Sequence, residues 1–141
     1  MSQIYTFFQD DHQRLDALLE ELEQHPHDDD SLALAEAFKA GLERHIRWEE
    51  ELLFPAFETQ TGMHHGGPTA VMCVEHQQIH ALLASLVEAV AAGKSPLEII
   101  DELKQVLGEH NLKEEKILYP MCDQVLGPTQ VHEIIEGARA D

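Results

Sequence analysis

An internal duplication constrains this chain more than any other feature. His45-Ile46-Arg47-Trp48-Glu49-Glu50-Glu51-Leu52-Leu53-Phe54-Pro55 and His110-Asn111-Leu112-Lys113-Glu114-Glu115-Lys116-Ile117-Leu118-Tyr119-Pro120 both read His-x3-Glu-Glu-x-(Leu/Ile)-Leu-aromatic-Pro. Upstream of each lies a second matched pair, Asp11-His12-Gln13-Arg14-Leu15-Asp16-Ala17-Leu18-Leu19 and Glu75-His76-Gln77-Gln78-Ile79-His80-Ala81-Leu82-Leu83. His12 and His76 are 64 residues apart, and His45 and His110 are 65 apart. A repeat of this kind predicts a duplicated pair of helices, each helix carrying a histidine at a similar depth.

Apolar residues follow the helical period throughout, and no segment alternates as a strand does. The first helix is predicted from Ser2, its cap, to Gln24, burying Ile4, Phe8, Leu15, Leu19 and Leu22, with His12 on the same face. Pro26 ends it, and His25 and His27 fall in a solvated turn. Ser31 caps a second helix to about Glu58, with the stripe Leu34, Phe38, Leu42, His45, Glu49, Leu52 and Ala56. Gly41 permits close packing there, and Pro55 kinks or ends the last turn. Gly62, Gly66, Gly67 and Pro68 mark a loop holding His64 and His65.

A third helix, about Thr69 to Ala92, carries Met72, His76, Ile79, Leu83, Leu86 and Val90, with His80 one turn after His76. A fourth starts at Ser95-Pro96, with Glu98 closing a capping box, and runs to Val125. Its stripe is Ile100, Leu103, Leu107, His110, Glu114, Ile117, Met121 and Val125. Thr129 to about Ala138 forms a short amphipathic helix, with His132 structural or exposed. Four long helices with short connections predict an all-α antiparallel up-down-up-down four-helix bundle with a short C-terminal fifth helix, one domain over residues 1–141.

Composition narrows the partners. Lys+Arg 9 against Asp+Glu 27 gives a net charge of −18, which disfavours nucleic acid and anionic membranes. No apolar run approaches the roughly 20 residues of a membrane span, and no signal-peptide pattern opens the chain. Cys73 and Cys122 lack CxxC spacing and read as small core hydrophobes in a reducing compartment, hence a cytoplasmic protein, monomer or homodimer.

The polar residues on inward faces are His12, His45, Glu49, His76, His80, His110 and Glu114. A buried carboxylate without a partner is costly and is normally paired or bound to metal. Arg14, Arg47 and Lys113 all fall off the stripes, so a metal is the economical partner for the set. Residues four apart lie about 40° apart around a helix and about 6 Å along it, so His45/Glu49, His76/His80 and His110/Glu114 can each serve one centre or adjacent centres. Glu115, five after His110, is about 140° off and requires a helix bulge, so Glu114 is preferred. Mixed imidazole and carboxylate donors suit iron, or zinc or manganese, and two shared carboxylates favour two ions.

The set His12, His45-x3-Glu49, His76-x3-His80, His110-x3-Glu114 resembles the hemerythrin-like (HHE cation-binding) family, from the first helix through the fourth. The resemblance implies one iron on His76, His80 and His110, a second on His12 and His45, and Glu49 and Glu114 bridging both with an oxo or hydroxo group. Asp16 stands where the other half has His80, and is expected to hydrogen-bond a ligand histidine. The iron with fewer histidines then has an open position, where relatives take up dioxygen. Leu15 and Leu107 are candidates either to wall that position or to serve as plain core leucines, and Trp48 and Phe8 to line the site or pack.

Oxygen-carrying hemerythrins show His-x4-Asp in the last helix, where this chain has His-x3-Glu. The resemblance thus leads to a metal-binding protein for dioxygen or another small diatomic ligand, as carrier, sensor or scavenger, rather than an enzyme. The alternative is a di-iron oxidoreductase acting on oxygen, peroxide or nitric oxide, with Tyr5 or Tyr119 as redox or proton donor, or a role in iron storage or iron-centre repair. A metal-free interaction bundle is the third reading.

Overall fold

A computed structural model describes residues 3–64 and 66–141 of the chain. Ser2 and His65 lie outside the described residues. Every element is helical: α1 is Gln3–Gln24, α3 is Pro68–Ala91 and α5 is Pro128–Arg139. The second helix, α2, runs over 31–61 as Ser31–Trp48, a π-helical turn Glu49–Leu53, and Phe54–Thr61. The fourth, α4, runs over 97–125 in the same three parts, Leu97–Lys113, Glu114–Leu118 and Tyr119–Val125.

The two π turns sit at equivalent places in the repeat and explain how each helix passes its proline. In each turn the N–H of the residue before proline bonds five residues back, Phe54 to Glu49 and Tyr119 to Glu114. Pro55 and Pro120 have no N–H to offer, and the widened turn takes up the break, so α2 continues to Thr61 rather than ending early. The extra residue rotates everything after it. Beyond each turn the buried face is therefore Leu53, Phe54 and Phe57, and Leu118, Tyr119 and Cys122. Leu52 and Ala56, expected inside, are only half-buried, and Ile117 is exposed. Met121 and Val125 are likewise half-buried.

Helix starts also differ from expectation. Ser31 is the first helical residue and α4 begins at Leu97, with no side-chain cap at either; Ser95 Oγ accepts the Leu97 N–H at 3.4 Å, and Glu98 closes no capping box. The start of α1 is held by another helix, its Ile4 and Tyr5 N–H groups donating to Asp123 at 2.9 and 3.0 Å. A carboxylate there satisfies orphan donors and opposes the positive end of the helix dipole.

Helix α1 packs on α2, α2 on α3, α3 on α4, and α4 back on α1, while α5 lies against α1 and the π turn of α2. Gly41 makes the close approach expected of it, since a Cβ there would come within 2.8 Å of the Leu15 side chain. The core has two apolar layers, one around Phe8, Phe54, Phe57 and Leu118, the other around Leu15, Phe38, Ile79 and Leu103. The buried histidines and glutamates lie between them. Along α1 and α3 the first layer precedes the histidine and the second follows. Along α2 and α4 the order is reversed.

Candidate metal centre

Six polar side chains meet between the layers. His12, His45, Glu49 and Glu114 form one group, and Glu49, His76, His110 and Glu114 a second, sharing both carboxylates. All six side chains are 0–4% exposed. Each carboxylate gives one oxygen to each half. Glu49 Oε2 lies 3.4 Å from His45 Nε2 and Oε1 lies 3.1 Å from His76 Nε2. Glu114 Oε1 lies 3.2 Å from His12 Nε2 and Oε2 lies 3.2 Å from His110 Nε2.

A carboxylate behind each ring sets its orientation. Nδ1 of His12 donates to Glu115 at 2.7 Å, that of His45 to Asp11 at 2.9 Å, that of His76 to Glu50 at 2.7 Å, and that of His110 to Glu75 at 2.8 Å. A neutral ring held this way turns the lone pair of Nε2 toward the centre, the tautomer a metal requires. The four pairs obey the repeat, since Asp11 corresponds to Glu75 and Glu50 to Glu115. Arg14 in turn binds Asp11, and Lys113 binds Glu75.

The donors fit a metal and satisfy one another poorly. Among the described residues, Glu49 Oε1, His76 Nε2 and Glu114 Oε2 are buried with no hydrogen-bond partner, although Glu49 Oε1 and His76 Nε2 are only 3.1 Å apart. Buried polar atoms that crowd together without a satisfied bond point at a shared position between them. Orphaned buried polar atoms are rare because each costs about 1–3 kcal/mol.

The electrostatics agree. Burial opposes charge on His45, yet Glu49 beside it and the bond to Asp11 outweigh burial and raise the imidazole to about 10. His110 is raised to about 9 against burial by Glu114, Glu49 and Glu75, and His76 is raised by Glu49 and Glu50. Burial would raise Glu49, but His45 and the neighbouring donors hold it well below the usual range. Without metal, the carboxylates draw protons onto the histidines; a cation at the centre takes the place of those protons.

A family model described as the hemerythrin HHE cation binding domain matches residues 3–122. The chain belongs to that hemerythrin family. No curated protein and no solved structure matches it. The buried histidine and glutamate groups of this hemerythrin-family domain are therefore a place where metal cations can be held.

Six of the seven residues expected in the site come together, and His80 does not. Its side chain is 38% exposed, with Nδ1 3.6 Å from Glu43 on α2. The buried line of α3 runs through Met72, Ile79, Leu83, Leu86 and Val90, and a residue four after His76 lies about 90° off its mean direction. Asp16, at the equivalent place on α1, makes no hydrogen bond to a histidine among the described residues. Glu115 fills that role for His12, and Asp16 lines a groove of about 440 Å³ beside it, with Leu107 and Gly108. Burial pushes the Asp16 carboxyl up. Leu15 and Leu107 pack in the second apolar layer. The ring of Phe8 lies 5.4 Å from that of His45, whereas the Trp48 N–H turns away to Asp141.

Among the described residues, the other histidines stay out of the site. His25 and His64 are exposed beside Asp28 and Glu58, and His132 is exposed on α5. Cys73 is half-buried and Cys122 buried, both free thiols.

The sequence offered Tyr119 only as a redox or proton donor of the alternative reading, and spacing did not assign the four outer carboxylates to their histidines. The Tyr119 hydroxyl is fully buried within the first group, 2.5 Å from Glu49 Oε2, 3.0 Å from Glu114 Oε1, and 3.3 Å from Nε2 of both His12 and His45. Five residues after Glu114, it belongs 140° off the face of a regular α-helix; the π turn brings it in.

Proposed function

We propose that this centre holds two iron ions, one on His12 and His45 and one on His76 and His110, bridged by Glu49 and Glu114, and that it binds dioxygen or a related small diatomic ligand. The observation that carries the reading is the split of each glutamate, one oxygen to each half of a pseudo-symmetric donor set. That disposition suits a carboxylate-bridged pair inside a helical bundle. Two imidazole nitrogens and two carboxylate oxygens per ion favour iron, zinc or manganese over calcium or magnesium. The reversed order of the apolar layers along successive helices supports an antiparallel up-down-up-down course.

Iron bound here supplies reversible electron donation to a small ligand. The protein's part is to orient each imidazole through its carboxylate, to exclude bulk water with an apolar layer on either side, and to place the Tyr119 oxygen at the centre. In the metal-free chain the Tyr119 hydroxyl donates to Glu49. A phenol so close to the centre favours one second reading, a redox enzyme at the same site.

A visible spectrum of reduced, iron-loaded protein, followed as oxygen is admitted and withdrawn, tests both. A charge-transfer band that comes and goes, with oxygen recovered intact, is the expected result. Net oxygen consumption would transfer the centre to the enzyme reading, and absence of any band with no iron retained would remove both.

A further inference from the structure

The two halves of the centre are not equivalent, and the difference lies in one oxygen atom. The repeat aligns Tyr119 with Phe54. The ring of Phe54 stacks on His76, centroids 6.0 Å apart and planes 6° from parallel, and brings no polar atom. Tyr119 places its hydroxyl within 3.3 Å of four polar atoms of the other half, Glu49 Oε2, Glu114 Oε1 and Nε2 of His12 and His45.

Donor spacing tells what that oxygen is doing. An octahedron with metal–ligand bonds of about 2.1 Å has edges of about 3.0 Å. The Tyr119 oxygen stands at 3.0 Å from Glu114 Oε1 and 3.3 Å from each imidazole nitrogen. Those nitrogens lie 3.2 and 3.4 Å from the nearest glutamate oxygens. Glu49 Oε2 is nearer, at 2.5 Å, so the hydroxyl lies within 3.3 Å of every donor of that half, where one more ligand of the same ion would sit. A hydroxyl that served only to donate to Glu49 would have no need to stand within 3.3 Å of the other three donors as well.

We propose that Tyr119 is a further metal ligand, a phenolate on the ion held by His12 and His45. The proposal rests on the reading of the cluster as a metal-ion site. When the ion takes the oxygen lone pair, the phenolic proton passes to solvent, so charge and atoms balance without an added reagent. With Tyr119 in place on that side, and with His80 outside the cluster, the position for an exogenous small ligand falls on the His76/His110 half. This reverses the order expected from the count of histidines.

The test is resonance Raman and visible absorption of ferric-loaded protein, with metal counted in the same samples. The expected result is a phenolate-to-iron charge-transfer band and enhanced tyrosinate ring modes in the wild type. Tyr5→Phe keeps both signals, and Tyr119→Phe loses both without losing the ion. A ferric-loaded wild type that lacks tyrosinate modes overturns the ligand assignment alone, whether or not Tyr119→Phe folds. Tyrosinate modes that persist in Tyr119→Phe and vanish in Tyr5→Phe do the same. A wild type that holds no metal overturns this proposal together with the reading beneath it.

Discussion

Each histidine of the centre owes its orientation to one carboxylate, and the four carboxylates belong to neighbouring helices rather than to the histidine's own. Asp11 serves His45, Glu115 serves His12, Glu50 serves His76 and Glu75 serves His110. Such partners typically govern metal affinity by 10–100-fold. Glu115→Gln is therefore expected to weaken metal binding by roughly that factor without changing the number of ions bound, as read by chelator competition. His80→Ala is expected to leave the metal count unchanged; loss of an ion would return His80 to the ligand set. His45/Glu49 and His110/Glu114 were legible in the sequence by their repeated four-residue spacing, and His12 and His76 by their place on the apolar stripes, whereas the same spacing also drew in His80, which lies outside the cluster. The outer carboxylates repeat too, but their targets lie on other helices, a relation that periodicity along one helix does not contain.

Protonation of the same residues gives a pH prediction. His45 and His110 in the folded, metal-free chain are raised to about 10 and about 9, above the ordinary imidazole value of about 6.5. Groups raised in the folded state contribute stability that is fully present below the unfolded value and lost as pH rises through the folded one. Thermal unfolding of the metal-free protein should thus shift to lower temperature between about pH 6.5 and 10. Because metal displaces those protons, loading at pH 7.5 should release on the order of two protons per chain from the two histidines, with one more from Tyr119 on phenolate ligation, measurable with an indicator dye in weak buffer. Loading without proton release would contradict the protonated state assigned to the pair.

At the scale of the element, the π turns decide what the site contains. A regular helix would carry Tyr119 off the buried face, and the widened turn returns it beside Glu114. Such turns occur often at functional sites. The sequence marked both places with a proline, yet proline alone predicts a kink or an end as readily as a bulge. For that reason the buried positions beyond Glu49 and Glu114 were legible only to within one residue. Inserting an alanine after Lys116, which is exposed within the second π turn, should add a residue that the widened turn does not absorb and rotate the rest of α4 by about 100°. That variant is expected to lose metal and unfold at lower temperature, by atomic absorption and circular dichroism, while Lys116→Ala keeps both properties. An insertion variant that retains its full metal content would show that the register set by the turn is not needed.

Across the whole molecule, the centre is a polar layer between two apolar ones, and four helices each contribute to it. The all-helical class was readable from period alone, since every long apolar stripe of α1 and α3 is buried as spaced. Metal that binds only the folded chain adds about 2.7 kcal/mol at a hundredfold excess over its dissociation constant. For a chain of this size that amounts to a rise in Tm on the order of 10 °C. The most direct test of the account is the iron content per chain after anaerobic loading and desalting, compared between the wild type, His12→Ala and Glu49→Ala. The account predicts two ions in the wild type, one retained in His12→Ala, and greater loss in Glu49→Ala, which removes a bridge. Equal loss in the two variants would contradict the bridged pair, and a wild type without iron would contradict the metal centre itself.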